Sequence, residues 1–119
     1  MSTDFVFSRL LDKQSEPIQL TAPVAVSELP TPALVLERSI LQGNIESMRD
    51  FLAAEGKGFR PHSKTHKCPV IAKLQMEAGA VGVCAAKLSE AVALINSGLT
   101  KILITSPIVS KSKLEILNK

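Results

Sequence analysis

The residues with the clearest chemical potential lie in one octapeptide, Arg60-Pro61-His62-Ser63-Lys64-Thr65-His66-Lys67, where five basic groups stand together with no acid among them. If residues 59–64 form a strand, Arg60, His62 and Lys64 point to one face and Phe59, Pro61 and Ser63 to the other, because successive side chains alternate. Three potential cations in line on a buried face repel one another unless an anion sits among them. A lysine crowded by cations and partly desolvated is pushed toward its neutral amine. The neutral amine is the nucleophile that condenses with an aldehyde. A phosphorylated aldehyde would supply both the carbonyl and the missing negative charge.

Other readings of the same residues stay open. The basic cluster is also compatible with a solvated surface loop, and His62 with a satisfied core histidine. His62 and His66, four positions apart with Cys68 nearby, have a spacing that offers zinc ligands on a helix; Pro61 and the strand pattern argue against a helix here. His66 and Lys67 can equally be solvated loop residues. Arg60 cannot neutralise itself when buried, so it requires an acidic or phosphate partner. Cys84 lies in an apolar run and reads as a buried inert thiol. Lys87 and Glu90 are placed to pair at a helix start, an interaction worth little at a surface.

The elements that must position this cluster follow from the hydrophobic pattern. Residues 1–28 lack a sustained period and are interrupted by Pro17 and Pro23, which predicts an irregular arm. After Leu29-Pro30-Thr31-Pro32, the run Ala33-Leu34-Val35-Leu36 predicts a short buried strand. Ser39 is a candidate N-cap for a helix whose stripe is Leu41, Ile45, Met48 and Leu52, ending at Gly56 and Gly58. A strand over 59–64 then leads to a helix begun by Pro69 and ended at Gly79. A strand over 81–86, a helix from Ser89 to Gly98, a strand over 101–105 and a helical segment opened by Ser110 complete the chain. This alternation predicts right-handed βαβ crossovers and a parallel sheet, with apolar strands covered on both faces. Ligands of such folds bind at the carboxyl ends of the strands, and Lys64 falls at one. Three strands leave open edges, so the expectation is part of a larger domain.

Composition narrows the function classes. A chain of 119 residues with 45% hydrophobic and 21% charged residues is globular in type. Aromatics are only 3%, with no Trp or Tyr, which argues against a base-stacking nucleic-acid module. The two cysteines, Cys68 and Cys84, form no CxxC pair, so a reducing compartment is the default. Neither a signal peptide nor a membrane-spanning apolar run is recognisable. A cytoplasmic protein, or an organellar matrix protein, is expected. Nucleotide-binding glycine motifs are absent.

The octapeptide resembles the RPHxKTHK signature of D-threonine aldolases and eukaryotic-type D-serine dehydratases, in the alanine-racemase-like group of pyridoxal-phosphate (PLP) enzymes. Thr31-Pro32-Ala33-Leu34-Val35-Leu36 resembles the TPALxxD entry of that family, with Glu37 where Asp is usual. Asn44-Ile45, Gly79-Ala80-Val81-Gly82-Val83-Cys84 and Ser89-Glu90-Ala91 resemble family segments in the same order, over roughly residues 29–110. The resemblance implies an α/β fold, a partial PLP-binding (β/α) barrel of the alanine-racemase amino-terminal type, spanning residues 29–119 and incomplete in this chain. It implies that Lys64 forms the internal aldimine and that His62 and Arg60 are cofactor-binding. It further implies a lyase acting on D-3-hydroxy amino acids, with no metal ligand in this chain and a divalent metal only in a full-length parent. A homodimer is one assembly open to that parent. The alternative is a non-catalytic PLP-binding module, and this chain alone is expected to be inactive.

Overall fold

The computed structural model describes residues 22–118. The expected arm over 1–28 falls mostly outside the described residues. Residues 22–35 contain one 3-10 turn, Val26–Glu28, and a cis Thr31–Pro32 peptide. Residues 36–118 carry the remaining elements: α1 (Arg38–Ala54), α2 (Pro69–Glu77), β1 (Val83–Ala85), α3 (Leu88–Asn96), β2 (Ile102–Ile104) and α4 (Lys111–Leu117).

The expected alternation of strands and helices is present as a mixed α/β arrangement with parallel pairing. Strands β1 and β2 are in register Val83↔Ile102, Cys84↔Leu103 and Ala85↔Ile104. On the other edge of β1, the segment 59–63 runs parallel through a single bridge, His62↔Cys84. Its bonds are Val81 N–H to the Phe59 carbonyl at 2.9 Å, Cys84 N–H to the Pro61 carbonyl at 2.8 Å and Ser63 N–H to the Cys84 carbonyl at 2.9 Å. The regular strand expected over 59–64 is reduced to this bridge for a physical reason. In a continuing ladder residue 61 would donate to the Gly82 carbonyl, and a proline has no N–H to donate. The order is thus 59–63, β1, β2, with β1 central and the barrel not closed.

One face of the sheet is covered by helices. Val83 and Ala85 are fully buried and join Ala72 of α2, Ala91 and Leu94 of α3, and Leu99 in one core cluster, with Met76, Ile102 and Ile104 packed against it. Burying a valine to this extent contributes about 1.5–3 kcal/mol. The helices are short because their ends are specified. Pro69 occupies the first turn of α2, where its missing N–H is harmless. Gly79 and Gly98 then take positive φ values of 102° and 83° just past the ends of α2 and α3, a conformation glycine adopts without a Cβ clash.

Several local expectations are corrected. Residues 33–36 form no strand and are exposed, since no partner edge pairs with them among the described residues. The N-cap of α1 is Glu37 rather than Ser39: the Glu37 carboxylate accepts from the Ser39 N–H at 3.3 Å and the Ser39 hydroxyl at 2.7 Å. Within the predicted α1 stripe, Ile45 is buried but Met48 is exposed. Helix α3 begins at Leu88 with Lys87 at the cap position, and Ser89 lies inside its first turn.

Candidate functional site

Pairing register sorts the uncovered face of the sheet into layers. His62, Cys84 and Leu103 are paired in line across the segment 59–63, β1 and β2, so their side chains share a face. By the same alternation Arg60, Gly82 and Lys101 form a layer toward the strand starts, and Thr105 one toward the strand ends. Lys64 follows His62 at that same carboxyl end. The expected separation of faces holds: Phe59 and Ser63 are buried on the helix side, while Arg60 and His62 are half-buried and Lys64 is exposed.

A tight turn presents Lys64. The Lys67 N–H returns to the Ser63 carbonyl at 2.7 Å, and Lys67 takes a positive φ of 48° to close it. Ser63 anchors the turn: only 2% exposed, it donates both its N–H and its hydroxyl to the Cys84 carbonyl, each at 2.9 Å. At the far side the His66 Nδ1 accepts the Cys68 N–H at 3.0 Å. Burial lowers the pKa of His66, against opposing contributions from Gln75 and Cys68. Its Nε2 and the Gln75 Oε1 are buried without a well-formed hydrogen bond. Lys67 faces Glu90 of α3 at 3.7 Å, and Glu90 also accepts the Ala86 N–H at 3.0 Å. Burial opposes the charge on Glu90, but the Ala86 and Lys87 N–H groups and the nearby lysines outweigh it, and the carboxyl stays below its ordinary range. Among the described residues the ion-pair partner of Glu90 is Lys67, not Lys87.

His62 lies across the mouth. Its Nδ1 accepts the Lys64 N–H at 3.2 Å, and its Nε2 is 3.0 Å from the Thr105 Oγ1. Thr105 in turn donates to the Ala85 carbonyl at 3.2 Å. Because Nδ1 faces a donor, the ring proton in this arrangement sits on Nε2. Both nitrogens are thereby engaged, and among the described residues no group of three His, Cys, Asp or Glu side chains could hold a metal ion. The His62–His66–Cys68 zinc alternative finds no support there.

Arg60 reaches the other way. Its Nη1 donates to the Lys101 carbonyl, passing over Gly82, where an added Cβ would collide with the guanidinium and that carbonyl. The acidic or phosphate partner expected of Arg60 is not found among the described residues; a backbone oxygen at the strand starts takes its place. The fold does not build the expected line of three cations: Arg60 is turned away, His62 accepts from Lys64, and Lys67 is paired. The partial desolvation expected for Lys64 is also absent, since the open sheet leaves it exposed. Among the described residues its amine has no hydrogen bond or ion pair, so it is available to a ligand.

Sequence reasoning did not single out Ser63, Thr105 or Glu90 for these roles. Glu90 carried a signal, standing three residues after Lys87 in the capping-box position. Thr105 carried only its place at the end of an apolar strand.

No family model matches the chain. A D-threonine aldolase of Arthrobacter sp. is 36% identical over 103 residues, 87% of this chain and 27% of the relative. A 3-hydroxy-D-aspartate aldolase of Paracoccus denitrificans is 39% identical over 90 residues, 75% of this chain and 23% of the relative. Among solved structures, the D-threonine aldolase from Filomicrobium marinum superimposes with a TM-score of 0.76 at 40% identity, covering 82% of this chain and 28% of that one. A cysteine-to-alanine variant of D-threo-3-hydroxyaspartate dehydratase in the metal-free form gives a TM-score of 0.71 at 34% identity, covering 76% and 24%. The chain spans about a quarter of the length of the relatives it matches.

Proposed function

We propose that this chain, which is homologous to the amino-terminal portion of D-threonine aldolases and of 3-hydroxyaspartate aldolases and dehydratases, supplies the PLP-holding part of a lyase acting on D-3-hydroxy amino acids. Residues 29–119 would be the barrel portion. The observation that carries the reading is Lys64: a primary amine just past the carboxyl end of the segment 59–63 that pairs with β1, unpartnered among the described residues, on a turn anchored by the buried Ser63.

The residues present fit the amine-holding side of PLP. Lys64 Nζ would hold the group, which when bound supplies an aldehyde for attachment and an electron-withdrawing ring. His62 stands beside it with its Nδ1 accepting from the Lys64 backbone, so the imidazole steadies the turn. Arg60 acts on the same face from the strand starts, tying the segment that carries His62 and Lys64 to the entry of β2. Ser63, buried beneath the turn, ties it to β1 through the Cys84 carbonyl. The nearby cations Lys67 and Arg60 are engaged by Glu90 and the Lys101 carbonyl, so the phosphate would need donors supplied from elsewhere in a full-length parent. The same holds for a divalent metal, given that no metal-holding group exists among the described residues. In this reading the 119-residue chain is a binding element, expected to need the rest of a full-length parent for turnover.

Incubation with PLP, reduction with borohydride and peptide mapping tests this. Stoichiometric pyridoxylation concentrated on Lys64, and its loss in Lys64→Ala, is expected; labelling scattered evenly over the lysines would defeat the reading. Metal-dependent formation of glycine or pyruvate from D-threonine or D-serine by the pure chain would overturn the statement that it lacks turnover.

A further inference from the structure

We infer that Thr105 is a positioning residue for the Lys64 site, acting through His62, in an extension that rests on the reading of Lys64 as the cofactor-holding amine. The two partners stand 43 residues apart in the chain and meet because β1 lies between their strands. The hydrogen bonds run in one direction: Lys64 N–H to His62 Nδ1, His62 Nε2–H to Thr105 Oγ1, and Thr105 Oγ1–H to the Ala85 carbonyl. Each link fixes the next. With its own proton directed at Ala85, the Thr105 hydroxyl has only lone pairs to offer, so it demands a donor from Nε2. A proton on Nε2 leaves Nδ1 of the neutral ring as an acceptor, which is what the Lys64 amide requires.

The hydroxyl has no evident purpose in packing. Thr105 is exposed and lies outside the core cluster. The Ala85 carbonyl already receives the Thr105 N–H at 2.9 Å, so it does not depend on the side chain for a partner. What the hydroxyl adds is a fixed orientation and tautomer for His62, in the manner that outer partners fix ligating and catalytic imidazoles. The consequence falls on the lysine: the His62 ring holds the backbone of Lys64, and with it the direction in which the amine leaves the turn.

Thr105→Val keeps the β-branched shape and removes the hydroxyl, and Thr105→Ser keeps the hydroxyl. The first readout, amide hydrogen exchange at Lys64 in the full chain, needs no PLP; the second is the rate of Lys64 pyridoxylation relative to the other lysines. Loss of one net hydrogen bond corresponds to about a five-fold change in an equilibrium. Thr105→Val is therefore expected to speed Lys64 exchange about five-fold and to lower its share of labelling, while Thr105→Ser stays near wild type. Unchanged Lys64 exchange in Thr105→Val, or an equal loss of protection in Thr105→Ser, would overturn the assignment. If wild-type labelling is scattered, the PLP reading fails, and the exchange data still decide the role of Thr105.

Discussion

Residues 33–36 and the strand Val83–Ala85 are both short apolar runs, and both suit a buried strand by composition. Val83 and Ala85 are fully buried, with a neighbour on each side of β1 and helices α2 and α3 over one face. Leu34, Val35 and Leu36 are all exposed, Leu34 completely. The contrast shows that apolarity makes a run available for burial, but a strand exists only where another backbone offers donors and acceptors. In a chain spanning about a quarter of its relatives, the run that lies between two strands finds them, and the other finds none among the described residues.

The widest separation between the two runs should come from an introduced charge. Val83→Asp would bury an unpaired carboxylate in the core and is expected to cost about 4 kcal/mol or more, enough to unfold a chain of marginal stability. Leu34→Asp should stay within about 0.5 kcal/mol, as at ordinary surface sites. Urea unfolding followed by circular dichroism compares them directly. A Leu34→Asp loss approaching that of Val83→Asp would mean that residues 33–36 are covered in solution.

Glycines sharpen the comparison within one body. A Cβ at Gly82 meets the Arg60 guanidinium and the Lys101 backbone carbonyl, whereas one at Gly43 in α1 meets nothing within 4 Å. Gly82→Ala is expected to destabilise by about 2 kcal/mol, because backbone cannot step aside. Adding Arg60→Ala should recover only part of this, since the carbonyl clash remains. Gly43→Ala should stabilise by about 0.5–1 kcal/mol through helix propensity. Equal unfolding midpoints for the two alanine variants would show that Arg60 does not lie over Gly82.

The turn carrying Lys64 allows a smaller contrast. Ser63→Ala removes a buried hydroxyl bond to the Cys84 carbonyl and should cost about 1 kcal/mol. Thr65→Ala removes an exposed contact to the His62 carbonyl at 3.3 Å and should change stability by less than about 0.5 kcal/mol. Because Ser63 is the anchor, its variant should also reduce the share of pyridoxylation at Lys64 where the Thr65 variant does not.

How far these features were legible depended on whether their cause was local. Pro69, Gly79 and Gly98 mark helix ends by their own backbone chemistry, so the alternation of strands and helices could be read directly, although the strand expected over 59–64 is reduced to one bridge. The face shared by Arg60 and His62 followed from period-two alternation alone. What the residues at 59–67 do to one another could not be read, because it is decided by partners far along the chain: Lys101 for Arg60, Thr105 for His62, Glu90 for Lys67. Like-charged neighbours in sequence suggested mutual repulsion; in three dimensions Arg60, His62 and Lys67 each find their own acceptor or donor, and the Lys64 amine has none among the described residues.

His66 gives the smallest effect and a sign that can be checked. Burial favours its neutral form and lowers its pKa below the ordinary 6.5, so the unfolded chain binds its proton more readily than the folded one. Stability tied to His66 is therefore complete above about pH 6.5 and is lost as pH falls through the lowered folded value. Glu90 also has a lowered pKa, but its ordinary value is 4.5, so its contribution is lost only at more acid pH. Between pH 7 and pH 5 the urea midpoint of the wild type should fall more than that of His66→Gln, while the wild type should lose its advantage over Glu90→Gln only nearer pH 4. Parallel wild-type and His66→Gln curves from pH 7 to 5 would mean that His66 is as hydrated in the folded chain as in the unfolded one, and that its side of the turn is open like Lys64 rather than packed like Ser63.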